Sequence, residues 1–302
     1  MEQYLGIDVG GTNVKMGIVD ARTGRISNFY SHDTADWRSS GHFVESLGDA
    51  IAIQLREFPQ IKKVGIGLPG MINRERTIPI EITAIPEINN APIVENFSKR
   101  FGGVQFFLEN DANAAALGEF YFAEHKIHEN YIFITLGTGV GGAAIINRKV
   151  FVGGEGNAME PGHVPSRNGK VLERNIGKKE LLEMAETMRK NYTGITKLPN
   201  DGTISTTGLV AAAAEGDELA LQVWHEVGEM LAIALVNMIR ILDINLVLIG
   251  GGLSASFDYI LPSILENLNY WLSPYNLNGL EIKRATLGND AGLLGAASLC
   301  FE

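Results

Sequence analysis

The feature that most limits how this chain can fold is a repeated unit: an apolar strand, a glycine turn and a second apolar strand. "QYLGIDV" and "VKMGIVD" flank the first turn, "GGTN", and "YIFITL" and "AAIIN" flank the second, "GTGVGG". Short runs rich in β-branched residues and joined by turn glycines predict β-hairpins. A length of 302 residues is large for one hydrophobic core and comfortable for two domains. The echo therefore predicts two related halves, each opening on such a hairpin. Helical patterns fall between the strands. Residues 39–58 put Phe43, Val44, Leu47, Ile51 and Leu55 on one face and stop before Pro59, and residues 91–101 have Pro92 near their first turn. Residues 217–243, 258–272 and 290–301 continue the series. Strands alternating with helices predict an α/β fold with a mixed sheet in each half.

Glycine clusters follow five of the strands: Gly10-Gly11-Thr12, then residues 65–70, 137–142, 153–156 and 250–254. Such turns let backbone N–H groups approach an anion. Gly65, Gly67 and Gly70, and again Gly137, Gly139 and Gly142, match G-x-G-x-x-G. Neither match is followed by a helical pattern, so neither offers a helix N-terminus to a dinucleotide pyrophosphate. No Walker-type G-x-x-x-x-G-K-[ST] occurs. Two glycine hairpins in two halves can instead pinch a triphosphate. Asp8 ends the first strand, where a carboxylate can hold Mg2+ through water. The hydroxyls of Thr12 and Thr138 can donate to phosphate oxygens, and "GGGLS" before a helix can receive the nucleoside.

"LENDANAAAL" at residues 108–117 sets Glu109, Asn110, Asp111 and Asn113 between an apolar run and an alanine-rich run. A turn needs one or two such residues, so four point to a generous helix cap or to a site. The net charge of -10 repels phosphate backbones and argues against nucleic acid as a partner. Cys300 is the only cysteine. Intramolecular disulfides and cysteine zinc clusters are thereby excluded, and a reducing cytoplasm is expected. No signal-peptide pattern opens the sequence, and Arg240 and Asp243 interrupt its most apolar stretch, so no membrane association is expected. His125 and His128 lie on a polar stretch and read as solvated.

Taken in order, "GIDVGGTNVKMGIVD", "GIGLPG", "ENDANAAALGE", "LGTGVGGAAI", "EPGH" and "LVLIGGGLS" resemble the successive motifs of the ROK family of bacterial sugar kinases, within the sugar kinase–actin–Hsp70 superfamily. The resemblance implies a two-domain, actin-like ATPase (ribonuclease H-like) α/β fold. A mixed sheet flanked by helices is implied in each domain, with an active-site cleft between them. Residues 1–117, completed by about 288–302, form one domain, and residues 118–287 the other. ATP and Mg2+ are implied, with a hexose as substrate and a homodimer as the assembly. Asp8, Gly10, Gly11, Thr12, Asn13 and Lys15 would serve the nucleotide from the first half, with Asp8 on Mg2+. Gly137, Thr138, Gly139, Gly250, Gly251 and Gly252 would serve it from the second. Asp111 would be the general base, and Gly67, Asn110, Glu160, His163 and Glu173 would contact the sugar. Because the phosphate turns lie elsewhere in the sequence, loss of Glu173 is expected to weaken sugar binding and spare ATP.

The chain departs from the family between His163 and Glu173, where many members build a zinc site from the histidine and three cysteines. Here the stretch is "HVPSRNGKVLE", with Val171 at one cysteine position. No zinc is expected, because one histidine with Ser166 and Asn168 makes no tetrahedral site. The polar row Arg167, Asn168, Gly169, Lys170 is expected to be mobile without sugar. Met159 replaces a small residue before Glu160. A glucokinase acting at the 6-hydroxyl is the leading expectation. Kinases of N-acetylmannosamine or N-acetylglucosamine, or of fructose or allose, are alternatives, as is a sugar sensor without activity. A repressor of the same family would need a DNA-binding domain ahead of the first strand, which begins by Tyr4.

Overall fold

The computed structural model describes residues 2–124 and 128–301, so His125 lies outside the described residues. The chain opens with β1 (Gln3–Val9), β2 (Asn13–Asp20), β3 (Ile26–Asp33), α1 (Thr34–Ser39) and α2 (Phe43–Glu57). Next come β4 (Lys63–Leu68), a small hairpin of β5 (Met71–Ile72) and β6 (Pro79–Glu81), α3 (Ile93–Arg100), β7 (Gln105–Asn110) and α4 (Asp111–Phe122). The second hairpin is β8 (Tyr131–Leu136) and β9 (Val140–Ile146), followed by β10 (Lys149–Val150). Helices α5 (Glu173–Ile176), α6 (Lys178–Asn191), α7 (Thr206–Ala214) and α8 (Glu218–Leu242) precede β11 (Leu246–Gly250). The chain closes with α9 (Phe257–Trp271), α10 (Pro274–Leu277), β12 (Glu281–Arg284) and α11 (Ala291–Ser298).

Two compact units result: Met1–Glu129 with Ala143–Met159 and Asn289–Glu302, and Asn130–Gly142 with Glu160–Gly288. The sequence reading put the crossing after Leu117, but that residue lies inside α4, which runs on to Phe122.

In the first unit the strand order is β3-β2-β1-β4-β7. The β1–β2–β3 meander is antiparallel, whereas β1, β4 and β7 run parallel. β1 and β4 are buried along most of their length, as parallel strands covered on both faces should be. Leu5, Ile7, Val64 and Ile66 from these strands meet Leu47 and Ile51 of α2. Each such side chain contributes about 1.5–3 kcal/mol by leaving water. The alanine-rich run after Asp111 has a packing purpose. Ala112, Ala114 and Ala116 of α4 are buried, and α11 approaches so closely that a Cβ on Gly295 would stand 1.6 Å from the Ala114 carbonyl oxygen. Backbone-to-backbone contact of this kind fixes α4, and with it the residues at its N-terminus.

The second sheet has the order β10-β9-β8-β11-β12, with β8, β11 and β12 parallel. α8 is long and apolar enough to cross a membrane by length and composition alone, Arg240 notwithstanding, but 61% of its most apolar window is buried inside the protein. Trp224, Leu231 and Leu235 of α8 are fully buried, which makes it the core helix of this unit. Asp217 caps it by accepting from the Ala220 N–H, and Asp243 closes it in the left-handed conformation at φ 53°.

Candidate functional site

In the first unit the expected residues gather at the carboxyl ends of three adjacent parallel strands, the usual ligand-binding edge of an α/β sheet. Asp8 of β1 is in register with Gly67 of β4, Gly67 with Glu109 of β7, and Leu68 with Asn110. Strand spacing of about 4.8 Å makes these neighbours. A Cβ on Gly67 would lie 3.8 Å from the Asp111 Cα, so Gly67 and Asp111 also adjoin.

The four polar residues of the β7–α4 junction divide the work. Asn110 is the N-cap: its Oδ1 accepts from the N–H groups of Ala112 and Asn113, at 2.9 and 3.1 Å, and its Nδ2 donates to the Gly70 carbonyl at 3.1 Å. The Gly70 bond uses one of the two Nδ2 hydrogens, so the amide keeps a second donor beside its role as cap. Asp111 is therefore not spent as the cap. It is the first helical residue, half-buried, with Oδ1 accepting from the Ala112 N–H at 2.8 Å. The positive end of the helix dipole faces it there. Glu109 is buried and accepts from the Asn110 N–H (2.8 Å) and from Asn113 Nδ2 (3.0 Å) through Oε1, while Oε2 pairs with Arg76 Nε at 3.1 Å. Burial pushes the Glu109 carboxyl up, and Arg76, Asn113 and Asn110 pull it partly back.

Asp8 is similar. Burial raises its carboxyl, and Lys15, with Nζ 3.9 Å away, offsets part of the shift. A half-buried carboxylate disfavoured by desolvation gains from a cation. One carboxylate completed by phosphate oxygens and water suits Mg2+. The described residues contain no cluster of three or more metal-ligating side chains. Gly11, Thr12 and Asn13 are exposed at the tip of the first turn, which Gly10 closes by donating its N–H to the Asn13 carbonyl at 2.9 Å. Lys15 lies back from the tip, donating to the Asn289 carbonyl at 3.0 Å.

In the second unit, the turns at Gly137–Gly139 and Gly250–Gly252 follow adjacent parallel strands, with Thr135 of β8 in register with Gly250 of β11. The two turns touch: a Cβ on Gly137 would lie 3.9 Å from the Gly252 nitrogen. Thr138 and Gly252 are exposed at their tips. Gly251 has φ +88°, and a Cβ there would stand 2.4 Å from the Leu136 carbonyl oxygen, so only glycine fits.

Glu160, His163 and Glu173 come together in this unit. His163 Nδ1 is 3.9 Å from Glu160 Oε2, and the histidine is exposed. Burial raises the Glu160 carboxyl; His163 lowers it and the Glu173 charge raises it further. Met159, just before Glu160, has φ +66°, which explains why a small residue is expected there. Glu173 departs from expectation. Its Oε2 accepts from the Val140 N–H at 3.0 Å, and a Cβ on Gly139 would collide with that oxygen at 2.1 Å. The glutamate assigned to the sugar therefore also braces the turn assigned to phosphate, and the expectation that the two are separate is corrected.

The stretch between His163 and Glu173 is a hairpin. Pro165 bridges Val171, Ser166 N–H donates to the Lys170 carbonyl at 2.7 Å, and Leu172 N–H to the Val164 carbonyl at 3.0 Å. Asn168 and Gly169, at φ 60° and 67°, form its tip with the positive φ pair of a type I′ turn. Arg167 anchors it to α8, with Nη1 2.9 Å from Glu226 and Nη2 2.8 Å from Glu229. The polar row thus has more hold than its composition implies. Sequence reasoning missed this, although Asn-Gly between short runs is a hairpin signal. It also missed Arg76 and Asn157, for which no local signal exists.

A profile of the ROK family matches residues 4–302. A glucokinase of Thermotoga maritima is 31% identical over 99% of this chain and 98% of its own length. An N-acetyl-D-glucosamine kinase of Haemophilus influenzae is 29% identical over 98% of each. A crystal structure of a protein from Cytophaga hutchinsonii superposes with a TM-score of 0.94 at 42% identity, covering 100% of both chains. A ROK family glucokinase from Streptomyces griseus, in complex with glucose and AMPPNP, gives a TM-score of 0.78 at 28% identity over 99% of both. These similarities carry the actin-like α/β fold as well as the family: the chain belongs to the ROK family.

Proposed function

We propose that this protein is an ATP-dependent hexose kinase that phosphorylates the 6-hydroxyl, with glucose as the first substrate. The observation that carries the reading is the division of labour at the β7–α4 junction. Asn110 caps the helix, so the Asp111 carboxylate stands at its first position, next to Gly67, whose register partner is Asp8. Asp111 accepts the proton of the 6-hydroxyl as that oxygen bonds to the γ-phosphorus and the bond to the β-phosphate oxygen breaks, releasing ADP. In phosphoryl transfer, orientation and charge stabilisation supply most of the rate, so its first task is to aim the hydroxyl. Glu160, His163 and Glu173 bind sugar hydroxyls, since carboxylate and imidazole can each anchor them. The Gly10–Thr12, Gly137–Gly139 and Gly250–Gly252 turns bind ATP through backbone N–H groups. Asp8 would hold a nucleotide-borne Mg2+, which would supply neutralisation of the phosphate charge.

The similarity to glucokinases from several bacteria supports glucose. N-acetyl-D-glucosamine kinases at 29–30% identity favour an N-acylhexosamine as the second reading. Burial pushes the Cys300 thiol up to about 12, which fits an inert core residue in a cytoplasmic enzyme. We also infer a homodimer, whose mass light scattering reads directly. A panel of hexoses and hexosamines scored by coupled ADP release tests the central reading. ADP release that requires a sugar, fastest with glucose, is expected; ATP turnover indifferent to sugar would overturn it.

A further inference from the structure

Arg76 is a partly buried arginine in a backbone conformation that arginine rarely takes. It lies in the turn between β5 and β6 at φ +56°. Asn73 holds that turn, its Oδ1 accepting from the N–H groups of Thr77 and Ile78, both at 2.8 Å. Left-handed strain at a non-glycine residue persists only where the surroundings over-determine it, and it marks a position whose side chain is needed. The Arg76 side chain is 16% exposed, and its guanidinium has two partners. Nε pairs with Glu109, at 3.1 Å, and Nη2 donates to the Gly156 carbonyl, at 2.6 Å.

Each partner leads to a residue of the proposed reaction. Glu109 accepts from the backbone N–H of Asn110 and the side chain of Asn113, so it fixes the first turn of α4, where Asp111 stands. Gly156 lies in the segment that runs into Met159 and Glu160. Asn157 ties the same segment to β5, accepting from the Ile72 N–H and donating to its carbonyl, both at 3.0 Å. The planar fork of an arginine can serve a carboxylate and a carbonyl together; an ammonium is a single point charge.

We propose that Arg76 is a positioning residue for phosphoryl transfer, holding the Asp111 turn through Glu109 and the segment that ends in Glu160 through Gly156. This rests on the kinase reading. The two arms separate in kinetics. Arg76→Gly removes both and relieves the positive φ, so the fold keeps a compensating gain. It is expected to lower kcat roughly 10- to 100-fold, the scale of an ångström of misplacement at the base, and to raise the hexose KM. Arg76→Lys keeps a charge for Glu109 and loses the Gly156 arm. It should recover most of kcat while the hexose KM stays raised. Glu109→Gln should lower kcat like Arg76→Gly, and the double variant should be no worse than either.

Wild-type enzyme and the four variants are assayed together, with thermal melts to show that each is folded. A sugar-independent wild type overturns the kinase reading and this proposal with it. An active wild type with Arg76→Gly at unchanged kcat and KM overturns the proposal alone. So does a double variant whose losses simply multiply, or an Arg76→Lys variant with no split between kcat and KM.

Discussion

Replacing Glu173 with alanine is expected to weaken nucleotide binding in the absence of any sugar. The Glu173 carboxylate accepts from the Val140 N–H at 3.0 Å, and Val140 is 4% exposed. A charge-assisted bond of this kind contributes about 1.5–3 kcal/mol, and its loss leaves a buried donor without its acceptor. Val140 directly follows Gly137–Gly139, so the cost falls on the turn that is to bind phosphate. Part of it is recovered as the turn relaxes toward solvent, leaving about 1–2 kcal/mol, or roughly 5- to 30-fold in Kd. Glu173→Gln keeps an acceptor oxygen and should restore most of the nucleotide affinity, while hexose binding stays weak for want of the charge. Calorimetric titration with a non-hydrolysable ATP analogue and Mg2+, without hexose, reads the effect. An alanine variant with the wild-type nucleotide Kd would refute the reasoning and restore the separation of sugar and phosphate sides that the sequence implies.

Arg167→Ala should cost about 1 kcal/mol, because its two ion pairs are partly exposed and worth about 0.2–1 kcal/mol each. The wild-type hexose KM should rise with salt and that of the variant should not, while zinc chelators change neither. Burial holds the Glu160 pKa above its ordinary value, so ionising it costs stability. That cost is absent below the ordinary glutamate value, grows as pH rises and is complete above the raised one. Glu160→Gln should therefore melt higher than wild type at pH 8, with the gap closing as pH falls through the acid range, and a constant gap would count against it. Gly251→Ala forces a side chain into φ +88° and onto the Leu136 carbonyl. A loss of at least about 1–3 kcal/mol in denaturant melts, together with weakened ATP binding, is expected.

Local signals carried the fold. The paired hairpins, the faces of α2 and α8 and the glycine turns are all written within a few residues of one another, and periodicity reads them directly. Asp8, Gly67, Asn110 and Asp111 were legible for the same reason: each stands within one residue of a strand's carboxyl end. What holds them was not legible. Arg76 meets Glu109 and Gly156, and Arg167 meets residues 59 and 62 positions away, through side chains that leave no periodic trace. The hairpin tip at Asn168-Gly169 did carry a signal. Composition, a row of polar residues, outweighed the turn chemistry that both positive φ values express. Glu173 and Val140 each belong to a recognised motif, but the bond that joins the motifs exists only in three dimensions.

The central claim is that Asp111 is the base, and the Asp111→Asn variant tests it most directly. The amide keeps the size and hydrogen-bonding shape of the carboxylate and loses the ability to take a proton. Hexose affinity, measured by calorimetry, should remain within a few-fold of wild type. Hexose-dependent ADP release at saturating substrates should fall by roughly 10²–10⁴, the range for loss of a general base. A folded Asp111→Asn enzyme that turns over at the wild-type rate would contradict the account.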